Sequence, residues 1–324
     1  MVTVTGKVVR ILPGRVSSAA GGEATEQVVD LILADARQYW RVSLRDDKPA
    51  LVTNSAIRPG DVIRIENASF SALRKEGDQR VHAGNYARIT SLATSIEPLR
   101  DVPGTKLTVL AVARPEGDRV CVAGIDEKGA WIRPQGVYAD ELDTTRGPLF
   151  KNLCVSTVYL DAWRGRHARK EDYFFVYSRG VDGELPAEEK RTFLEQHVDA
   201  AVDTIFKSGR TLGLIKPRII QVYEERAPPK QREKGYEQYI RFNFKDRSGR
   251  VYRHWSCRCA AFYDAWNAMK ARHRWTCGWR MRRYLRWNET YLAIGLTYSD
   301  YGVERLEYGA YPMIVGVHVV VPHS

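Results

Sequence analysis

The first 97 residues alternate between apolar and polar positions in short runs that are separated by turn residues. The runs begin at Val2, Val28, Tyr39, Val62 and Val81. Alternation over four to eight residues predicts half-buried β-strands. Residues 16–24 are small and polar and predict a loop, and residues 49–56 predict a short helix. Five strands at this spacing predict a small β-barrel.

The third of these strands is the most regular. Trp40, Val42 and Leu44 occupy alternate positions and are expected to face the core, because successive side chains of a strand point to opposite faces. Tyr39 and Arg41 then point outward. An aromatic ring beside a guanidinium on a barrel face can stack on a base and contact a phosphate.

The remainder of the chain mixes strands with helices. Strand-like runs are predicted at 107–114, 119–126, 129–134, 153–162, 218–225 and 239–244. Helical spacing of apolar residues predicts helices over 186–206 and 259–272. Residues 98–105 contain two prolines and a glycine, which predicts a linker between a domain at 1–97 and a domain at 106–324.

Composition is that of an ordinary globular protein, with 44% hydrophobic and 27% charged residues. We expect no transmembrane helix, because no run of about 18 apolar residues occurs. The first residues lack a basic segment followed by an apolar one, so we expect no signal peptide and a cytoplasmic location. Five cysteines in such a chain favour free thiols or a metal site over disulfides.

Positive charge is concentrated in the last third of the chain. Residues 201–324 contain 22 basic and 11 acidic residues. Their net charge of +11 equals the net charge of the whole protein. A localised basic excess indicates a polyanionic partner. No long basic amphipathic helix is evident, so a membrane surface is not the expected partner.

Residues 254–287 combine this charge with aromatic rings. Five of the eight tryptophans and three of the five cysteines lie there, interleaved with arginines. Rings can stack on bases while guanidiniums pair with phosphates, so this stretch is a candidate nucleic-acid surface. The alternative is a tryptophan-rich core strip with a solvated basic face.

The segments Leu31-Ile-Leu-Ala-Asp-Ala, Trp40-Arg-Val-Ser-Leu-Arg-Asp, Arg58-Pro-Gly-Asp-Val-Ile-Arg-Ile-Glu-Asn-Ala and Gly84-Asn-Tyr-Ala-Arg-Ile resemble OB-folds of the replication protein A type. The resemblance covers about residues 1–97. It implies a five-stranded barrel that binds single-stranded DNA across its second and third strands and the adjoining loops, in replication or repair.

The second domain resembles the bacterial dual-OB domain family. The resemblance lies in Arg119-Val-Cys-Val-Ala-Gly-Ile-Asp with Gly129-Ala-Trp-Ile-Arg-Pro, in Tyr291-Leu-Ala-Ile-Gly-Leu-Thr and in Pro312-Met-Ile-Val-Gly-Val-His. This resemblance implies the fold of the second domain rather than a particular activity. Together the two resemblances predict a mainly β protein of three OB-like barrels, one N-terminal and two in a C-terminal dual-OB module, with helical insertions.

The start of the aromatic stretch contains a candidate metal site. His254, Cys257, Cys259 and Cys277 are residue types that bind zinc. Their spacing is atypical, because the Cys-x-Cys pair is tight and has no second pair. The alternative is that the cysteines are buried and act as small hydrophobic residues, with no cofactor.

Catalytic motifs are absent from the sequence. It has no Walker loop, no Gly-x-Gly-x-x-Gly, no Gly-x-Ser-x-Gly and no His-Glu-x-x-His. We therefore expect non-catalytic binding of single-stranded DNA or RNA. The alternatives are a metal-bearing or catalytic module that the first barrel delivers to DNA, and a scaffold that binds proteins.

The candidate nucleic-acid-binding residues are aromatic or basic and lie in the first barrel and the last third of the chain. They are Tyr39, Arg41, Arg45, Phe70, Arg74, Lys75, Arg80, Tyr86, Arg88, Trp255, Arg258, Arg274, Trp275, Trp279, Arg280, Arg282 and Arg283.

Overall fold

The computed structural model describes residues 1–18, 25–70, 80–144, 147–163, 169–232, 237–297 and 306–321. The protein is mainly β. It divides into two compact units, Met1–Gly104 (unit 1) and Thr105–Ser324 (unit 2). Within the described ranges, no helix has the length and apolar character needed to cross a bilayer.

The described part of unit 1 consists of strands and one short helix. They are β1 Val2–Ile11, β2 Arg15–Ser18, β3 Thr25–Ala34, β4 Tyr39–Leu44, α1 Pro49–Thr53, β5 Val62–Phe70, β6 Arg80–Ala83 and β7 Arg88–Ser91. Five of the strands close into a barrel in the order β1-β3-β4-β6-β5, because β5 also pairs with β1. β4 and β6 run parallel and the other barrel pairs run antiparallel. This is the strand order of an OB-fold, and we call it barrel 1.

The alternation in the sequence accounts for the interior of barrel 1. Val4 and Val8 of β1 and Val42 and Leu44 of β4 are buried in one apolar core. β1 pairs with β5 through its first half and with β3 through its second half, and register shifts bend it between the two. One long bent strand therefore closes the barrel.

Two local expectations for unit 1 are corrected. Residues 16–18 of the predicted loop belong to β2, which pairs with β3, and residues 19–24 lie outside the described residues. The single strand expected from residue 81 to residue 89 is two strands, β6 and β7, with a turn at Gly84–Ala87. Within the predicted linker, the Leu99 amide donates to the Asp35 carbonyl at 2.7 Å and the Asp101 amide donates to the Ala36 carbonyl at 2.8 Å.

Unit 2 is larger and contains most of the helices. Its first part comprises β8 Thr105–Val112, β9 Arg119–Val120, β10 Val122–Asp126, β11 Trp131–Gln135, β12 Val137–Tyr138, a 3-10 turn at Ala139–Glu141, β13 Asp143–Thr144, β14 Gly147–Pro148, β15 Cys154–Ala162 and β16 Asp172–Glu184. Strands β10-β11-β16-β15-β8 form a closed barrel, which we call barrel 2. Its third and fifth strands, β11 and β16, are parallel, as in barrel 1.

The second part of unit 2 contains a third barrel. It comprises α2 Ala187–His197, α3 Val202–Phe206, β17 Leu212–Ile215, β18 Arg218–Arg226, α4 Pro229–Arg232, β19 Gln238–Lys245, β20 Val251–Cys257, α5 Ala260–Arg272, α6 Cys277–Trp287, β21 Glu289–Leu296 and β22 Pro312–Val320. The sheet order is β17-β21-β22-β20-β19-β18, with β20 and β22 parallel.

The third sheet is an OB-like barrel whose first strand is broken. β17 pairs with β21 and β18 pairs with β19, and only Lys216 and Pro217 separate β17 from β18. Proline has no amide hydrogen to donate, so it interrupts strand pairing at this bend. Together β17 and β18 occupy the position in the strand order that the single bent strand β1 occupies in barrel 1. We call this sheet barrel 3.

Barrels 2 and 3 are fused through a shared apolar core. The face of barrel 2 that contains Leu110, Ala123 and Trp131 packs on Leu212 and Tyr291 of barrel 3. The interior of barrel 2 is a separate cluster. The buried core between the barrels therefore covers the outer face of the first three strands of barrel 2.

Hydrogen bonds reinforce this junction. The Arg133 guanidinium pairs with Asp172 at 2.7 Å and donates to the Thr211 hydroxyl at 3.2 Å. The Thr211 amide donates to the Glu171 carboxylate at 2.8 Å. His318 of β22 contacts the Leu110 carbonyl at 2.9 Å. Since these groups are buried, removing one partner would leave the other unsatisfied.

Candidate nucleic-acid interface

Helix α6 presents two opposite faces. Cys277, Met281 and Leu285 recur four residues apart and are buried in the core of barrel 3, so they form one stripe of the helix. The helix packs on β18 and β21. At Gly278 a Cβ atom would lie 2.9 Å from the Val222 carbonyl oxygen of β18. The glycine therefore allows the helix to approach the strand closely.

The opposite stripe of α6 is aromatic and cationic. Trp279 is 56% exposed and Trp287 is 68% exposed, and Arg283 lies midway between them in sequence. The Arg283 guanidinium carbon is 3.7 Å from the centre of the Trp287 ring and 5.4 Å from that of Trp279. The guanidinium thus lies close to two indole rings whose surfaces remain largely open to solvent.

The turn between α5 and α6 extends this surface. Trp275 is 93% exposed, and the Arg274 guanidinium carbon is 5.7 Å from the centre of its ring. We use the name α6 surface for Arg274, Trp275, Trp279, Arg280, Arg283 and Trp287. Its residues come from one helix and the turn before it, which fixes their relative positions.

The α6 surface is positively charged. Helix α6 contains Arg280, Arg282, Arg283 and Arg286 and no acidic residue. Between described residues, none of these four arginines has a carboxylate within ion-pair distance. Arg280 donates to the Thr276 hydroxyl at 3.2 Å. The positive charge of the helix is therefore not compensated locally within the described chain.

Two of the sequence candidates in this stretch have other roles. Trp255 is only 7% exposed and its ring centre lies 5.2 Å from that of Phe244 inside barrel 3. Its ring cannot stack on a base, so Trp255 is removed from the candidates. Arg258 is largely buried, pairs with Glu116 at 3.4 Å and lies 5.5 Å from the Tyr239 ring centre.

Among the described residues, the cysteines are not grouped with the ligands that a metal site needs. In the described part of the chain, no three His, Cys, Asp or Glu side chains are grouped so that they could hold a metal ion. Burial raises the pKa of the Cys257 thiol, and burial likewise raises that of Cys259. Cys257, Cys259 and Cys277 lie in the apolar core of barrel 3, where they pack as small hydrophobic side chains. The zinc hypothesis for His254, Cys257, Cys259 and Cys277 is not retained.

The outer face of β4 in barrel 1 differs from the expected platform. Arg41 is half-buried and its guanidinium pairs with the buried Asp30 carboxylate at 2.8 Å. The Ser43 hydroxyl donates to the same carboxylate at 2.6 Å. Burial raises the pKa of the Asp30 carboxyl, but the charge of Arg41 and the hydrogen bonds from Ser43 and Arg41 lower it by more. The pKa of Asp30 therefore lies below its usual value. Arg41 is therefore part of a structural ion pair, and Tyr39 beside it is half-buried.

Other candidates in unit 1 are distributed over its surface. Tyr86 is 85% exposed and Phe70 is 36% exposed. Arg80 of β6 is exposed and is paired in register with Arg41. Arg88 is exposed on β7, while Arg45 follows β4 and is half-buried. Arg74 and Lys75 lie outside the described residues.

Sequence reasoning missed the outer face of barrel 3. Gln221 and Tyr223 of β18, Asn243 of β19 and His254 of β20 form a hydrogen-bonded network there. The alternation of apolar and polar residues in 219–223 and 240–244 was the available signal. Gln221, Tyr223 and Asn243 are uncharged and are not part of a basic or aromatic cluster in the sequence. His254 was interpreted only as a metal ligand.

No protein-family model matches the chain, and no curated protein matches it significantly. Similarity to solved structures does occur, and it is low in sequence identity.

Three solved structures illustrate this similarity. A replication factor A related protein from Methanobacterium thermoautotrophicum is 23% identical over 28% of this chain and 79% of its own, with a TM-score of 0.24. A replication protein A heterotrimer bound to single-stranded DNA is 10% identical over 99% of this chain and 93% of the matched one, with a TM-score of 0.32. A murine DNA-binding protein bound to double-stranded DNA is 10% identical over 41% of this chain and 72% of its own, with a TM-score of 0.24. At these values, neither a family nor a function is assigned to the chain from them.

Proposed function

We propose that the chain binds single-stranded nucleic acid, more specifically DNA, and does not transform it. The observation that carries the proposal is the α6 surface, where Trp279, Arg283 and Trp287 form an exposed stripe. Unpaired bases offer open faces to such rings, whereas the bases of a duplex are already stacked on each other. The arginines add attraction for phosphates that does not depend on base sequence.

The anchoring of α6 supports this proposal. Burial of Met281 and Leu285 fixes the helix to barrel 3, so the exposed rings are presented on a rigid element. Binding to a rigid surface costs less conformational entropy than binding to a mobile loop. Aromatic rings alternate with guanidinium groups on the α6 surface, as bases alternate with phosphates along a single-stranded nucleic acid. A lipid surface would instead favour a continuous apolar face.

The tandem barrels also belong to the proposal. The resemblance of residues 1–97 to replication protein A-type domains favours DNA over RNA and a role in replication or repair. The exposed Tyr86, Phe70 and Arg88 are the parts of unit 1 that we propose contact the strand. The shared core of barrels 2 and 3 supports assigning residues 106–324 to the bacterial dual-OB family.

The test is a fluorescence anisotropy titration of the whole chain with a labelled single strand and with the matching duplex. Each is titrated at about 50 mM and about 200 mM salt, a range over which phosphate contacts weaken strongly. We expect tighter binding of the single strand and weaker binding at the higher salt concentration. Polyphosphate, which has charge but no bases, serves as the control competitor.

Three outcomes would count against the proposal. Equal or tighter binding of the duplex would exclude a preference for unpaired bases. Displacement of the strand by polyphosphate at matched charge concentration would show that stacking contributes little. Absence of binding to both nucleic acids would favour a protein scaffold. Metal analysis and product analysis of the incubated strand would reveal the metal-bearing or catalytic alternative.

A further inference from the structure

The turn between α5 and α6 exposes a tryptophan to solvent on an ordered backbone. Trp275 is 93% exposed. The His273 amide donates to the Met269 carbonyl at 2.9 Å, and the Thr276 amide donates to the His273 carbonyl at 3.0 Å. Cys277, which begins α6, is buried in the core of barrel 3. The indole therefore projects from an anchored turn, as the aromatic anchor of a protein interface does.

The residues next to this tryptophan are basic. Arg272 and Arg274 are exposed, and the Arg274 guanidinium carbon lies 5.7 Å from the centre of the Trp275 ring. Among the described residues, neither arginine has a carboxylate within ion-pair distance. We call residues 272–275 the tryptophan turn. A surface that binds this turn should combine an apolar pocket for the ring with negative charge beside it.

Helix α2 carries a groove of that chemistry. The groove has a volume of about 380 Å³, at the lower end of the range for ligand pockets, which suits one large side chain. Leu185 and Phe193 are half-buried and supply its apolar surface, while Glu188 and Glu189 are exposed and supply carboxylates. The lining residues recur at helical spacing and so form one stripe; they are Leu185, Glu188, Glu189, Thr192, Phe193 and Gln196. We call it the α2 groove.

The negative charge of the α2 groove is not compensated within the described chain. Neither Glu188 nor Glu189 has a basic side chain within ion-pair distance there, and Lys190 pairs with a carboxylate outside the groove. The wider charge distribution has the same sense. Residues 101–200 contain 14 basic and 17 acidic residues, a net charge of −3, whereas residues 201–324 have a net charge of +11. The groove and the tryptophan turn are therefore complementary in charge.

The α2 groove faces away from α6 of the same molecule. Arg191 of α2 pairs at 2.7 Å with Glu289, two residues after the end of α6. Arg191 and Phe193 are two positions apart, so they lie on nearly opposite sides of a helix with 3.6 residues per turn. Trp275 precedes the other end of α6, which has 11 residues and is about 16 Å long. The tryptophan turn therefore does not fill the groove of its own chain, and a second copy can.

We propose that Trp275 of one copy inserts into the α2 groove of a second copy. The arginines of the tryptophan turn then lie beside the carboxylates of the groove. Because the two contacting surfaces differ, the contact is heterologous, and successive copies associate into an open chain or a closed ring. The proposal goes beyond the proposed function and does not depend on it, because this association requires no nucleic acid.

The test is sedimentation equilibrium of the whole chain without nucleic acid, over a range of protein concentrations. The average mass of the wild type should rise above that of the monomer as the concentration increases. Trp275→Ala removes the ring, and the double variant Glu188→Lys, Glu189→Lys reverses the charge of the groove. Each should lower the association constant by about tenfold, as loss of an interface anchor does. The control Glu127→Lys, Asp140→Lys makes the same charge change at two exposed positions of unit 2 and should associate like the wild type.

A mixture of the two interface variants tests which surfaces meet. Trp275→Ala retains the groove, and the groove variant retains the tryptophan turn. An equimolar mixture should therefore form one-to-one dimers and no larger species, although each variant alone remains monomeric at that concentration. Melting curves verify that every variant is folded. A monomeric wild type, folded variants that associate like the wild type, or a mixture that associates no better than its components would overturn the proposal.

Discussion

At the scale of residues, two tryptophans of the same stretch have opposite roles. Trp255 lies on β20 and packs on Phe244 and Tyr252, whereas Trp279 lies on α6 and is 56% exposed. The sequence marked both as candidates for stacking. Composition cannot separate them, because the orientation of each side chain depends on which face of its element the tertiary structure buries.

Substitution of Trp279 tests this difference directly. Trp279→Ala should weaken binding of a single strand by about 1–3 kcal/mol, the usual contribution of a stacked base. The melting temperature should change little, because the side chain is mostly exposed. Titration and a melting curve on the same sample measure both effects.

Trp255→Ala is the matched control for that substitution. It removes a buried ring and should reduce the free energy of unfolding by about 3–5 kcal/mol. If the melting temperature of Trp279→Ala were as low as that of Trp255→Ala, Trp279 would stabilise the fold rather than bind the ligand.

His318 gives a pH dependence at the same scale. It is 2% exposed and contacts the Leu110 carbonyl. Burial lowers its pKa from 6.5 to about 4, and the hydrogen bond to Leu110 opposes this shift. Between those two pH values the unfolded chain binds a proton that the folded chain excludes, so stability falls as the pH is lowered through this window.

Because of this residue, we expect the free energy of unfolding of unit 2 to fall by about 2 kcal/mol when the pH is lowered from about 7 to about 5. Urea unfolding at the two pH values measures the loss. His318→Gln cannot take up the proton, so its pH dependence should be smaller by that amount. An identical pH dependence in both proteins would contradict the assigned burial of a neutral imidazole.

At the scale of elements, α6 shows why part of the site was not predicted. Its arginines and tryptophans were recognised, but the helix itself was not. Apolar and aromatic residues lie on both of its faces, Met281 and Leu285 inward and Trp279 and Trp287 outward. The recurrence of Cys277, Met281 and Leu285 between arginines is the spacing of a surface helix and was the available signal for α6, but the stretch was interpreted for its rings and charges alone.

The charge on α6 should determine the salt dependence of binding. Each phosphate contact on a single strand contributes about 0.7 to the slope of log affinity against log salt concentration. Replacing Arg280, Arg282 and Arg283 by alanine should therefore lower the slope by up to about two. Titrations of the variant at four salt concentrations measure it.

Arg191→Ala on α2 is a suitable control, because that arginine already pairs with Glu289 at 2.7 Å. It should leave the slope unchanged. If the triple variant keeps the wild-type slope, the basic face of α6 is merely solvated and the phosphates contact another part of the chain.

The helix expected over 186–206 shows how tertiary contacts override a local pattern. Its apolar spacing is helical throughout, yet the structure has two helices, α2 and α3, with an extended break between them. In the break, the Asp199 amide donates to the Leu214 carbonyl at 2.7 Å and its carboxylate accepts from the Leu214 amide at 3.1 Å. These long-range bonds with β17 replace the helical bonds that the sequence alone favours.

Strands were the most predictable elements. β1, β3, β4 and β5 begin and end close to the predicted positions, because one face of each is buried and the other is polar or near the surface. Strand β20 was not predicted, since its alternation is broken at the bulge next to His254.

At the scale of the whole molecule, the division into units makes unit 1 a candidate for independent folding. Its barrel is closed, and its core is one cluster of its own residues. We expect the fragment of residues 1–104 to melt cooperatively. A fragment of residues 1–97 should be less stable, because it lacks the backbone bonds of Leu99 and Asp101.

Differential scanning calorimetry of the two fragments measures this difference. An unfolded 1–104 fragment in native buffer would contradict the independence of unit 1. Equal melting temperatures would show that the segment after residue 97 is a simple linker, as its prolines first suggested.

The fusion of barrels 2 and 3 has a consequence for how such chains can evolve. Gly316 of barrel 3 approaches the Leu110 carbonyl so closely that a Cβ atom would clash with it, and the face of barrel 2 around Trp131 is apolar. A chain that lost either barrel by deletion would expose a large apolar surface and be prone to aggregation. Barrels of this unit should therefore be gained or lost in pairs in related genomes, whereas barrel 1 can be exchanged singly.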